Sequence, residues 1–412
     1  MKCILSTGLG RLHLIQSTQS LQKAGVDMAI IQGWVPRRIP DSIVNLLGRL
    51  AGSSSLAAGM SKRRLTFLNA DHIHSCALAD FYSQGLFLLN RLGVLSRGKA
   101  ARYGWRYFGR SSAKYLKDAD IFHVRSGAGR GGAIAKAKNS GMKVVVDHSI
   151  AHPAFLERAL KEEYANFGLS FWMGPEDPFW RSVLDDCQDA DALLVNSDFV
   201  KDTFVDNGYP RDRIHVVYLG VREDFFGLKK QYAVKGRIEL LFTGGFGIRK
   251  GAQYLLPAIE KLVRDGMDLR LTIVGTVAEA QDLLDNSLLA ERLNCVGYLP
   301  QDNLKDHLTN ADIYVFPSLA EGCASSGLEA MAAGLPVITT RESGLPITHG
   351  EHGWIVTSKS VEELANAIQK LAEDRLLRER LGRAASITIS NGFTWQNYAR
   401  RVHDLYIQLS EI

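Results

Sequence analysis

Short apolar runs alternate with helical stretches along almost the whole chain, and this alternation limits the fold more than any other feature. Residues 2–6, 28–31, 65–69, 121–124, 143–146, 192–196 and 214–218 read as strands. A second series covers 239–243, 269–274, 295–298, 313–316, 337–340 and 354–356. Strands separated by helices pair in parallel through crossover units, which gives α/β, doubly wound sheets. The pattern breaks into a turn-rich crossing over 218–235. Two sheets are therefore expected, with domains at 1–225 and 226–390, and 391–412 as a helix packing back across the junction. A chain of 412 residues can supply a core for each domain. Open parallel sheets bind ligands beyond the carboxyl ends of their strands, so facing sheets place the site in the cleft between them.

Charge is divided unevenly. The net charge is +5, but residues 1–130 hold 19 lysines and arginines against six aspartates and no glutamate. The remainder holds 30 basic against 38 acidic residues. A basic first domain implies an anionic partner: a membrane surface, a phosphorylated lipid or nucleic acid. An amphipathic basic insert spans 34–64, and over 97–117 Arg102, Arg106 and Arg110 interleave with Tyr103, Trp105, Tyr107 and Phe108. Such segments suit an anionic bilayer interface, or else turn their apolar stripes to the protein core. No run approaches the ~20 apolar residues of a membrane span, and the opening residues read as a strand rather than a signal peptide. Five cysteines, odd in number and without close pairs, point to a reducing compartment. The expected location is cytoplasmic, peripheral on the inner face of the membrane.

The chemistry concentrates in 313–344, IYVFPSLAEGCASSGLEAMAAGLPVITTRESG. A buried-type strand leads through Pro317 and Ser318 to Glu321, a run of small residues, Glu329 and a short helix beginning near Ser326 or Gly327. The first turn of a helix offers free N–H groups and a positive dipole end to a phosphate or diphosphate. Carboxylates accept paired hydrogen bonds from the vicinal hydroxyls of sugar and ribose rings. One loop could thus grip both ends of a sugar joined to a nucleoside through a diphosphate.

A competing pattern occurs earlier. Gly127, Gly129 and Gly132 follow the 121–124 strand, and Asp147 ends the next strand 20 residues after Gly127. That is the spacing of a dinucleotide-binding fingerprint, and alone it supports an NAD-dependent oxidoreductase. The basic, aromatic first domain also admits a non-enzymatic nucleic-acid binder, but such a protein has no use for Glu321, Glu329 or Lys250, and no specific nucleic acid is expected. No Asp-x-Asp metal motif stands out; Asp185 and Asp186 read as surface residues of a helix, so neither a metal nor another cofactor is expected.

Segment 321–329 resembles the Glu-x7-Glu signature of retaining glycosyltransferases with two Rossmann-like domains, the GT-B fold of glycosyl transferases group 1. ADALLVNSDFVKDTFVDNGYPRDRIHVVYLGV, LLFTGGFGIRKGAQYLLPAI, NCVGYLPQDNLKDHLTNADIYVFPS and FTWQNYARRVHDLY resemble further stretches of the family. The likeness covers most of 190–412; before that it is one of organisation. It implies that Glu329 accepts from the nucleoside ribose and that Glu321 holds donor-sugar hydroxyls. Backbone groups of Ser326, Gly327 and Leu328 would meet the diphosphate. Arg249 and Lys250, after Gly244, Gly245 and Gly247, would neutralise the leaving group. His148 or His152 would face the sugar's reacting carbon, and the Gly8 and Gly10 loop would lie near the acceptor and diphosphate. Two departures stand out: Gly245 occupies the family's arginine position, and Cys323 and Ala324 replace an aromatic and a glycine. The expected activity is retaining transfer from a nucleotide-diphosphate sugar to a hydroxyl of a glycan or lipid-linked acceptor.

Overall fold

The computed structural model describes residues 1–36, 65–234 and 236–411. Beyond residue 36, the basic insert expected over 34–64 lies outside them. The first sheet holds β1 (Lys2–Ser6), β2 (Asp27–Gln32), β3 (Ile73–Ser75), β4 (Ile121–Arg125), β5 (Lys143–His148), β6 (Ala192–Val195) and β7 (Ile214–Val216), in the order β3-β2-β1-β4-β5-β6-β7. The second holds β8 (Ile238–Thr243), β9 (Leu269–Val274), β10 (Leu293–Gly297), β11 (Ile313–Phe316), β12 (Val337–Thr340) and β13 (Trp354–Val356), in the order β10-β9-β8-β11-β12-β13. Among the described residues every strand pair is parallel. Central strands such as ALLV and IYVF are buried along their whole length, as strands covered on both faces must be.

The sequence also marks where helices start. Asp177, Ser197, Ser360 and Asp374 each cap a helix through the side chain, and Thr394 with Asn397 forms a capping box at the closing Trp395–Ser410 helix. That closing helix returns to the first domain: its Tyr398 hydroxyl accepts from Ser17 at 3.1 Å, and its Tyr406 hydroxyl lies 2.5 Å from His123 Nδ1.

Two expectations fail. Residues 65–69 form a turn, and the third strand begins only at Ile73. Leu65 and Leu68 are buried, but their spacing of three places them in a turn rather than on one face of a strand. Asp186 is not a surface residue. It is wholly buried and accepts from the amides of Gly127 and Gly129, at 2.7 and 2.8 Å, and from Arg130 Nε at 2.5 Å. Burial pushes its carboxyl up to about 6 even with Arg130 beside it. Removing one partner of a buried pair strands the other charge. Asp186→Ala is expected to destabilise the protein by about 3–5 kcal/mol in urea unfolding, and Asp185→Ala, at an exposed position, by less than about 0.5 kcal/mol.

Candidate active site

The loops at the carboxyl ends of the two sheets meet. Leu319 and Ala320, after β11, are buried in the core of the first domain. Gly322 lies so close to the Ser149 carbonyl that a Cβ would collide with it, and its own carbonyl accepts from Ser197 Oγ. Further contacts bind the two halves together: Arg341 Nη2 lies 2.7 Å from Asp202, while Glu163 accepts from the Tyr254 hydroxyl at 2.7 Å and pairs with Lys359 at 2.7 Å. Beside this contact opens a cavity of about 370 Å³, reached by His13 and Ser149 from the first domain, Arg222 from the crossing segment, and Gln301, Ser325 and Glu329 from the second.

Glu321 sits at the junction. Arg249 Nη1 lies 2.6 Å and Lys250 Nζ 3.4 Å from its Oε1. Burial alone lifts this carboxyl, but Arg249 and then Lys250 outweigh it and hold it below the usual carboxylate range. The two cations are set by the loop after β8. Gly244 has φ +115°, a conformation that side chains resist, and Lys250 Nζ passes 3.1 Å from where its Cβ would stand. Gly245 faces Thr276. Arg249 is tied further by its bond to the Ala320 carbonyl at 2.7 Å, and Lys250 lies 4.9 Å from the centre of the Phe316 ring.

The helix after Glu321 runs Ser325–Ala333, a residue or two earlier than expected. Gly327 and Leu328 donate their amides to Ala324, at 2.9 and 3.0 Å, so these two expected anion donors are already engaged. The first-turn donors ahead of them belong to Ser325 and Ser326. Ser326 Oγ also donates to the Thr243 carbonyl at 3.2 Å and accepts from Tyr314 at 3.0 Å, which fixes the helix start against the β8 loop. Glu329 is the fifth residue of the helix, not in its first turn. Its carboxylate accepts from Gln301, which Arg222 in turn holds at 3.2 Å. Burial raises its pKa to about 7.

The expected histidines are engaged in packing. His148 Nδ1 lies 2.9 Å from Ser126 Oγ, and His152 Nδ1 accepts from the Ala154 amide at 3.2 Å as a helix cap. Both rings pack edge-to-face on Phe204, and burial lowers each pKa to about 4. Neither lines the cavity. His13 does, with Nε2 3.0 Å from Asp147 Oδ2; Asp147 also lies 3.4 Å from His123. The sequence signal for His13 was its place just after the Gly8 and Gly10 loop. Gly8 itself is packed against Trp105, and Gly10 against Arg125. The dinucleotide reading loses its donors and its acid together: Asp186 occupies the amides of Gly127 and Gly129, and His13 and His123 occupy Asp147.

Two facing parallel sheets with a cleft at their carboxyl edges define the GT-B class of glycosyltransferases. Solved structures agree: sucrose-phosphate synthase from Thermosynechococcus elongatus superposes with TM-score 0.72 at 17% identity over 99% of both chains. The Anabaena protein HepE in complex with UDP gives 0.65 at 14% over 100% of both. Residues 90–225 match the family model Glycosyltransferase Family 4, and residues 226–387 match Glycosyl transferases group 1. The chain belongs to the glycosyl transferases group 1 family. Among curated relatives, the amylovoran biosynthesis glycosyltransferase AmsK of Erwinia amylovora is 28% identical over 54% of this chain and 56% of its own. A D-inositol 3-phosphate glycosyltransferase of an Arthrobacter species is 35% identical over 40% and 41%. These matches span about half the length of the relatives, or less.

The raised pKa of Glu329 has a measurable sign. A carboxyl whose folded pKa exceeds its unfolded value favours folding below the unfolded pKa, and that contribution is lost as pH rises to about 7. Glu329→Gln is therefore expected to melt with the wild type at pH 4 and above it at pH 8, by differential scanning calorimetry.

Proposed function

We propose that the cleft transfers a sugar, with retention, from a nucleotide-diphosphate donor to a hydroxyl of a glycan or lipid-linked acceptor. The observation that carries this reading is that one short segment joins Glu321, with its Arg249 and Lys250 pair, to a helix whose Ser325 and Glu329 line the cleft. The helix start and the cations suit a diphosphate, and the carboxylates suit the hydroxyls of sugar and ribose. HepE has been solved in complex with UDP and with UDP-glucose, and AmsK is a glycosyltransferase of amylovoran biosynthesis. Both support a nucleotide sugar and a glycan.

In this reading residues 226–390 hold the donor and residues 1–225 the acceptor. Glu329 accepts from the ribose and Glu321 from the donor sugar. The bond between the anomeric carbon and the diphosphate oxygen breaks, and its electron pair leaves on the diphosphate. Arg249 and Lys250 share that growing charge in a site shielded from water, where fixed cations act most strongly. The acceptor oxygen bonds to the same face of the carbon, and its proton passes to the departing diphosphate. No resident metal or cofactor takes part. The basic first domain faces an anionic membrane surface, and the protein works peripherally on the cytoplasmic side. Among the described residues no helix is long and apolar enough to cross a membrane.

Glu321→Ala and Lys250→Ala are each expected to lower kcat by a factor on the order of 10²–10³, in an assay of nucleoside diphosphate release. Full transfer in both variants would refute these roles. Donor KM is expected to fall as pH rises through about 7, where Glu329 ionises, and Glu329→Gln to flatten that profile. Excess EDTA should leave the rate unaltered.

A further inference from the structure

The Ala77–Arg91 helix buries two polar residues, Asp80 and Ser83, beside Ala79 and Leu86. Leu78, Phe81, Tyr82, Leu88, Leu89 and, just past its end, Leu92 form one stripe at helical spacing, and all are exposed; Leu78 is 74% exposed and Leu92 67%. The cause lies in the partner helix, Arg97–Ser112. Gly104 of that helix fits so closely against Ser83 that a Cβ would displace the hydroxyl, while Asp80 accepts from the Trp34 amide at 2.9 Å. Polar residues are thus anchored inward, and an apolar stripe is left exposed, with Phe81 tilted against the Trp34 ring. A stripe of this size on a soluble domain marks a docking surface.

The Arg97–Ser112 helix resolves the choice left open for 97–117 by dividing its aromatics. Trp105 and Phe108 are buried, whereas Tyr103 and Tyr107 face outward with Arg102, Arg106 and Arg110. These three arginines stand one turn apart, where like charges repel. Among the described residues none of them forms an ion pair. With Tyr82, Tyr103 and Tyr107 they line a groove of about 660 Å³ that has Asp185 on its far wall.

We infer that this helix pair docks on an anionic lipid bilayer, with the stripe led by Leu78 and Phe81 entering the headgroup boundary and Arg102, Arg106 and Arg110 binding lipid phosphates. Exposed apolar residues flanked by arginines and tyrosines are the composition of an interfacial element. Charge decides among the occupants. A second copy of this chain would bring the same arginines face to face. Segment 37–64 carries Arg37, Arg38, Arg49, Lys62, Arg63 and Arg64 against Asp41 alone. Both alternatives present the same sign, whereas a bilayer of acidic lipid presents the opposite one. The inner face of the Arg97–Ser112 helix holds Trp105 against Gly8, at the carboxyl edge of the first sheet. Docking would therefore set the acceptor side of the cleft one helix from the lipid; it rests on the membrane side of the proposed function and not on its donor chemistry.

The test is sedimentation of the full chain with phosphatidylcholine vesicles, with and without phosphatidylglycerol. Binding is expected only to the mixed vesicles, with release at high salt. Arg102→Gln, Arg106→Gln and Arg110→Gln together are expected to weaken it by on the order of a hundredfold, and Leu78→Ser with Phe81→Ser by roughly tenfold or more. UDP binding, followed by calorimetry, is expected to be the same in both variants and the wild type, which shows that they are folded. Equal binding to neutral vesicles, no binding, or a dimer that Leu78→Ser with Phe81→Ser dissolves would each overturn the inference. Loss of UDP binding in the wild type would count against the proposed function and leave the vesicle result standing.

Discussion

Because all the strand pairs run parallel, each chain reversal must pass through a crossover, and the carboxyl ends of all strands in a sheet share one edge. Two such edges face each other here, and everything functional follows from their meeting. The loop after β11 is pressed into the core of the first domain at Leu319 and Ala320, and Gly322 sits on the Ser149 carbonyl. Glu321 lies between those contacts and is therefore withdrawn from water. A carboxylate there stays ionised only if cations accompany it, and the β8 loop provides Arg249 and Lys250.

Glu321 and Glu329, on one short segment, are thereby driven in opposite directions. Both are penalised by burial. Glu321 has two cations in contact, and its proton affinity falls. Glu329 has Gln301 as its partner, with Arg222 one residue further out, and its proton affinity rises. A pair of similar groups with separated titrations is a common means of assigning distinct tasks within one site.

Much of this was legible in the sequence, for identifiable reasons. Strands 2–6, 269–274, 313–316, 337–340 and 354–356 coincide with those observed, because continuous apolar runs bounded by turn residues have few other uses. Arg249, Lys250 and Glu321 converge as their neighbouring glycines imply. The misreadings concern long-range partners. Nothing local to Asp186 shows that it will fill the Gly127 and Gly129 loop, more than fifty residues earlier. His148 and His152 end a strand facing the cleft, but Ser126 and Phe204 draw them into the packing. His13 follows the Gly8 and Gly10 loop, but its partner Asp147 is brought beside it only by β5. The outward stripe of the Ala77–Arg91 helix was hidden for a related reason: amphipathic spacing gives a helix an apolar side without saying which way it points.

The return of the closing helix bears on how the molecule is made. Tyr406 reaches Cys3 and His123 inside the first domain, and Tyr398 reaches Ser17. Domains usually fold as they leave the ribosome, the earlier one first. Here the amino-terminal sheet emerges early yet lacks one of its covering layers until the last described helix has been synthesised. The contacts of this helix with the first domain therefore form only after the chain of the second domain has been made.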